Sequence, residues 1–158
     1  MKLSSQEEYG LRCLLQVARR GESLTIAELS KLEGISSANV AKILRVLRRG
    51  GFLTSTRGQA GGYTLARPAD EIAVGDVLAT LGGRLFHAKF CETHAGASSS
   101  CTHLGDCSIR PVLRDVQRAI DDVLGRLTLK SLLCSEREVA LGPRAVPLPL
   151  ARQSGAPG

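Results

Sequence analysis

Apolar residues recur at helical spacing through the first third of the chain. Leu11, Leu14, Leu15 and Ala18 form one stripe, and Ser4 and Ser5, followed three residues later by Glu7 and Glu8, set overlapping capping-box patterns ahead of it. A first helix is expected from about Ser5 to Arg20. After Gly21, Leu24-Thr25-Ile26-Ala27-Glu28-Leu29 combines an N-cap Thr25, its partner Glu28 and a hydrophobic staple from Leu24 to Leu29, so a short second helix starts at Thr25 and ends at Gly34. Ser36 or Ser37 then caps a third helix, whose buried stripe of Val40, Ile43, Leu44 and Leu47 reaches Gly50-Gly51. Two short helices joined by a tight glycine-containing turn are a helix-turn-helix.

The period then changes from helix to strand. Phe52 to Thr56 and Tyr63 to Leu65 flank a glycine-rich tip, which predicts a hairpin. No helix follows the tip directly and no Lys-Ser/Thr pair stands in it, which argues against a phosphate-binding loop. Pro68 closes the hairpin, and Val74, Val77, Leu78 and Leu81 predict a short helix from Ala73 to Leu81 before Gly82-Gly83. Further on, Ser108 can cap a helix that tolerates Pro111 because it lies in the first turn. Ile109, Leu113, Val116, Ile120, Val123 and Leu127 step by four and three, a heptad seam that favours a helix-helix dimer over a helix lying only on its own domain. After Val139, prolines at 143, 147, 149 and 157 with interspersed Gly and Arg leave no periodicity. The expected protein is mainly α: a winged helix-turn-helix with a two-stranded wing over 1–82, a cysteine loop over 83–108, a dimerisation helix over 109–134 and a disordered tail over 135–158.

Charge changes this picture by dividing it. Residues 1–67 carry eleven Lys/Arg against five Asp/Glu, and residues 68–158 carry ten against ten, so the net charge of +6 lies entirely in the first part. That asymmetry suits a phosphate-contacting module beside a neutral partner module. On the third helix, Lys42, Arg45 and Arg49 line a face separate from the apolar stripe, joined near its start by Ser37 and Asn39. With Arg57 and Gln59 at the wing tip, they are the candidate contacts to double-stranded DNA. Trp is absent and aromatics are only 3%, which directs core-building to Leu, Val, Ile and Ala. No apolar run approaches the ~20 residues of a membrane span, and Ser4, Ser5, Glu7 and Glu8 stand where a signal peptide needs an apolar segment, so a cytoplasmic protein is expected.

The segment from Phe90 to Cys107 asks for chemistry. Cys91, Cys101 and Cys107 fall there with His94, His103 and Glu92, among Gly96, Gly105 and serines. Five cysteines in a reducing compartment point to free thiols, metal binding or redox work before structural disulfides. Three thiolates suit an iron-sulfur cluster, while a structural zinc site or a metal-free thiol switch uses the same residues. Cys13 and Cys134 read as small buried or partly buried apolar residues. An electron carrier or enzyme would need a substrate pocket or a ferredoxin-like cysteine run, and the sequence has neither.

The opening Met1-Lys2-Leu3-Ser4, the helix pair, Val46-Leu47-Arg48-Arg49-Gly50-Gly51-Phe52-Leu53, Arg57-Gly58 with Gly61-Gly62-Tyr63-Thr64-Leu65-Ala66-Arg67-Pro68, and three cysteines before a long helix together resemble the IscR/NsrR type of bacterial winged-helix regulators over about residues 1 to 133. The resemblance implies a homodimeric transcription factor, not an enzyme, holding a [2Fe-2S] or [4Fe-4S] cluster that reports redox state, nitric oxide or iron-sulfur status. It also implies Cys91, Cys101 and Cys107 as ligands. The histidine that some members carry just after the last cysteine is replaced here by Ser108-Ile109-Arg110. The fourth ligand therefore stays open among Glu8 of the partner subunit, His103, His94, Glu92, Asp106 and water.

Overall fold

The computed structural model describes residues 3–56, 58, 61–87, 89–93 and 101–134. The wing-tip candidates Arg57 and Gln59, the ligand candidate His94 and the tail from 135 lie outside them.

Local signals set the starts of the first three helices where the caps were expected, whereas Ser108, expected to cap the long C-terminal helix, makes no side-chain cap hydrogen bond. Helix α1 (Ser5–Arg20) begins with a complete capping box: the Ser4 N–H donates to Glu7 Oε2 at 2.8 Å, and the Glu7 N–H donates to Ser4 Oγ at 3.3 Å. Of the two overlapping boxes the one between Ser4 and Glu7 forms, which leaves Glu8 outside the cap. Helix α2 (Ile26–Glu33) has the same device in Thr25 and Glu28, with Thr25 N–H to Glu28 Oε2 at 2.7 Å. That N–H holds the Glu28 carboxyl below its ordinary value. Gly34 ends α2 at φ 66°, a left-handed conformation that glycine adopts without strain. Helix α3 (Ser37–Arg49) is capped by Ser36.

Strands β1 (Leu53–Thr56) and β2 (Gly62–Leu65) pair antiparallel with Leu53 opposite Leu65 and Thr56 opposite Gly62. A third strand-like segment joins them. Leu24 exchanges backbone hydrogen bonds with Tyr63 at 3.1 and 2.8 Å, so the wing is sewn to the loop that leads into α2. A Cβ at Gly62 would stand 2.5 Å from Ser23 Oγ and 2.7 Å from Leu24 O, so only glycine permits this approach.

The core is aliphatic. Leu14, Leu29, Val40, Leu44, Leu47, Ile72 and Val77 are fully buried, joined by Phe52 under the wing. Helix α4 (Val74–Gly82) lies across α1, where Gly10 meets the Leu81 side chain so closely that no Cβ could be accommodated without a shift. A one-turn helix, α5 (Phe90–Thr93), carries Cys91 in a segment expected to be loop throughout.

Helix α6 (Ile109–Leu124) is shorter than the boundary at 134 expected from the sequence. Beyond Gly125 the chain folds back on the winged-helix half: the Val74 N–H donates to Leu127 O at 2.9 Å and the Leu129 N–H to Ile72 O at 2.8 Å. Leu129 is fully buried and Lys130 pairs with Asp70 at 3.1 Å. Leu127 and Leu129 thus continue the apolar pattern of the helix without being helical, which is why periodicity overran its end. Cys134, expected to be at least partly buried, is exposed.

The six seam residues divide between two faces. Ile109, Val116 and Val123 are exposed, and so are Val112 and Ala119, which complete a stripe with steps of three and four. Leu113, Ile120 and Leu127 are half-buried against the protein's own fold, in a second stripe with Gln117 and Leu124. No helix among the described residues is long and apolar enough to cross a membrane.

Candidate DNA interface and cysteine site

Burial sorts the faces of α3 as the sequence spacing requires. Val40, Ile43, Leu44 and Leu47 are buried at 3% exposure or less, and Ser37, Asn39, Lys42, Arg45 and Arg49 are all exposed. Sixteen-residue α1 borders this face: Ser5, Gln6 and Tyr9 share a groove of about 200 Å³ with Asn39 and Lys42. Those three α1 residues were not legible as neighbours of the basic face, because a helix-turn-helix pattern says nothing of which helix flanks it. Arg48 does not join the free cations. Its guanidinium donates to Ser55 Oγ at 3.1 Å and ties α3 to the wing. On β1 and β2, Thr54 and Thr64 share a hydroxyl hydrogen bond of 3.0 Å on an outward-facing side of the wing.

Helix α1 is locked to α2 by a nearly buried carboxylate. Glu33, whose side chain is 7% exposed, accepts from Arg12 Nε at 2.6 Å and Gln16 Nε2 at 2.7 Å. Glu8 makes a looser pair with the same Arg12 at 3.4 Å and remains 55% exposed. Hydrogen bonding to Glu33 raises the Arg12 pKa above its ordinary value. Next to Arg12, Cys13 is fully buried, and burial pushes its thiol up to about 11. It is a core residue with no access to a ligand.

Cys91, Cys101 and Cys107 are free thiols, each half-buried. Cys91 lies on α5, and Cys107 stands just before α6. Among the described residues no three His, Cys, Asp or Glu side chains gather closely enough to hold a metal. The three thiols thus have the chemistry of cluster ligands but are not gathered into one donor set. His103 is exposed, and its backbone carbonyl accepts from Arg110.

The flanks of the loop are fixed to α6 by polar residues that sequence reasoning missed. Gln117, 7% exposed, accepts the Phe86 N–H at 3.0 Å and donates to Asp121 at 2.9 Å, and Asp121 in turn pairs with Arg84 at 3.1 Å. The available signal was a glutamine interrupting the inward stripe of Leu113, Ile120, Leu124 and Leu127. On the other flank, Arg110 Nη2 donates to the carbonyls of His103 at 3.2 Å and Leu104 at 2.9 Å. A cavity of about 670 Å³ opens between these ties, lined by Cys91, Arg84, Arg110, Arg114 and Arg118 among others.

A helix with an exposed basic face on a winged helix-turn-helix scaffold is the architecture of DNA-binding transcriptional regulators. The chain belongs to the Rrf2 family, described as iron-dependent transcriptional regulators, whose profile it matches over residues 3–135. It is similar to protein rrf2 of Nitratidesulfovibrio vulgaris, with 33% identity over 146 residues covering 91% of this chain and 93% of that one. Among solved structures, IscR of T. potens superposes with a TM-score of 0.65 at 27% identity, covering 84% of this chain and 86% of that one. The fold also matches CymR, the global cysteine regulator of B. subtilis, with a TM-score of 0.67 at 23% identity over 84% of this chain and 96% of that one. The mostly helical fold with its antiparallel wing agrees with the expectation from sequence.

Proposed function

We propose that the protein is a homodimeric regulator whose affinity for double-stranded DNA is switched by an iron-sulfur cluster bound through Cys91, Cys101 and Cys107. The observation that carries the reading is the clean sorting of α3: five exposed polar or basic side chains opposite four buried aliphatic ones. Lys42, Arg45 and Arg49 neutralise phosphates, Ser37 and Asn39 present donors and acceptors toward base edges, and Arg57 and Gln59 of the wing tip reach the backbone or minor groove. The exposed stripe of Ile109, Val112, Val116, Ala119 and Val123 pairs with its copy in a second subunit, because large exposed apolar side chains in heptad register are otherwise a liability in a soluble regulator.

The cysteine chemistry fits the cluster. All three thiols are unpaired, none is sealed in the core, and the loop that carries them is held at both flanks to the dimerising helix. Glu8 of a partner subunit is the fourth ligand in this reading: Glu7 takes the helix cap, so the Glu8 carboxylate has only a 3.4 Å surface ion pair to give up. A bound cluster would supply a redox-sensitive, thiolate-held anion at this junction. Gain or loss of its ligands is transmitted by α6 and the Gln117 and Arg110 ties, and a coupling of roughly 1 to 3 kcal/mol would change DNA affinity about 5- to 150-fold.

Anaerobic purification followed by native mass spectrometry tests the reading, with DNA titration of the loaded and stripped forms. A dimer carrying iron and sulfide, lost in Cys101→Ala while the dimer persists, is the expected result. Zinc without sulfide, or no metal at all, would reassign the same cysteines to a structural or thiol-based switch.

A further inference from the structure

We infer that Arg110 is a positioning residue of the cysteine site, donating from its Nε–H to a sulfur of the bound cluster and so raising the cluster's reduction potential; this rests on the cluster reading above. Three observations meet at this side chain. It lies in the first turn of α6, three residues after Cys107. One arm of its guanidinium is already spent on the carbonyls of His103 and Leu104, which fixes the group against the loop between Cys101 and Cys107. Its Nε is buried and has no hydrogen-bond partner among the described residues.

Buried donors are nearly always satisfied, and a charged one left alone in a folded protein points to an acceptor that belongs there. Arg110 and Cys91 line the same cavity, and Cys107 stands three residues before Arg110 in the chain. The rest of that wall is cationic, with Arg84, Arg114 and Arg118 against only Glu92 and Asp121. Arg84 and Arg118 are engaged in ion pairs at 3.1 Å with Asp121 and Asp115. An anionic, sulfur-rich occupant satisfies both the missing acceptor and the surplus of positive charge. Hydrogen bonds and positive charge at the sulfurs favour the more negative, reduced state of a cluster, which is the direction of the expected effect.

The test is a spectroelectrochemical titration of the full-length dimer, purified anaerobically, as wild type, Arg110→Gln and Arg110→Lys. The Gln variant is expected to keep iron and sulfide but to titrate at lower potential, with its reduction equilibrium weakened about tenfold, or about 59 mV for one electron. The Lys variant, which keeps the charge without the Nε donor, falls between the two. A residue that merely ties the loop to α6 would speed iron loss to a chelator without moving the midpoint. A loaded Gln variant with the wild-type midpoint overturns this inference and leaves the cluster reading intact. Should the Gln variant hold no cluster, the Lys variant decides: a lowered midpoint supports the role and an unchanged one overturns it. Wild-type protein without iron and sulfide overturns both.

Discussion

The side chain of Gln117 accepts the backbone N–H of Phe86 at 3.0 Å, across 31 positions of sequence. This one bond fastens the segment entering the cysteine site to the centre of α6, and the same glutamine steadies Asp121, which holds Arg84. In Gln117→Leu the Phe86 N–H loses its partner in a partly buried place. The cost is about 1 to 3 kcal/mol, since an unsatisfied buried donor forfeits its hydration without compensation. Urea unfolding should show a lower midpoint at unchanged slope. An unchanged midpoint would mean that the flank is not held through this residue.

Removing a cation from the exposed face of α3 should weaken DNA binding without touching stability. Lys42 and Arg45 are exposed on a helix whose buried side is complete without them. Lys42→Ala and Arg45→Ala are each expected to reduce affinity tenfold or more, about 1.4 kcal/mol. For a phosphate contact, the slope of log K against log salt should become shallower by about 0.9. Fluorescence anisotropy with duplex DNA across a salt series reads both quantities. Wild-type affinity in both variants would remove α3 from the interface.

These two variants also mark what the sequence could and could not tell. The face of α3 was legible because a period of 3.6 is a local rule: once Val40, Ile43, Leu44 and Leu47 turn inward, Lys42 and Arg45 have to face out. Helix starts were legible for the same reason, as Ser4 with Glu7 and Thr25 with Glu28 signal within four residues. What escaped was set by partners distant in the chain. The pairing of Leu24 with Tyr63, the return of Leu129 to Ile72 and the role of Gln117 all depend on which surfaces meet, and no window of neighbours encodes that. The six seam residues fall on two apolar stripes, one exposed and one half-buried, which spacing alone merged. Cys91, Cys101 and Cys107 were conspicuous by type, yet their mutual placement depends on the intervening chain.

The outward stripe of α6 has a direct test. Val116 is 41% exposed and lies midway along it, between Val112 and Val123. Val116→Glu would bury a charge against its symmetric copy in a self-complementary helix pair, a repulsive and desolvated arrangement. In sedimentation equilibrium the wild type is expected to run as a dimer and Val116→Glu as a monomer at the same concentration. Circular dichroism should stay unchanged, because the residue makes no part of the protomer core. A dimer that survives the substitution would place the interface elsewhere.

Cys13 links the core to pH. Its thiol is fully buried on α1, and burial, reinforced by the charge of Glu33, raises it from an ordinary value of 9.0 to about 11. Unfolding returns the thiol to water, where it ionises two pH decades earlier. Below pH 9 both states hold the proton and Cys13 makes stability independent of pH. Between pH 9 and 11 only the unfolded state releases it, so stability falls as pH rises, by about 2 to 3 kcal/mol at most over that window. Other groups titrate there too, and Cys13→Ala isolates this one: the small cavity lowers stability at every pH, while the difference from wild type should shrink steadily from pH 9 to 11. Denaturant midpoints of the two proteins at half-unit steps measure it. A constant difference across that range would show that the thiol meets water in the folded protein, contrary to its position between α1 and the rest of the core.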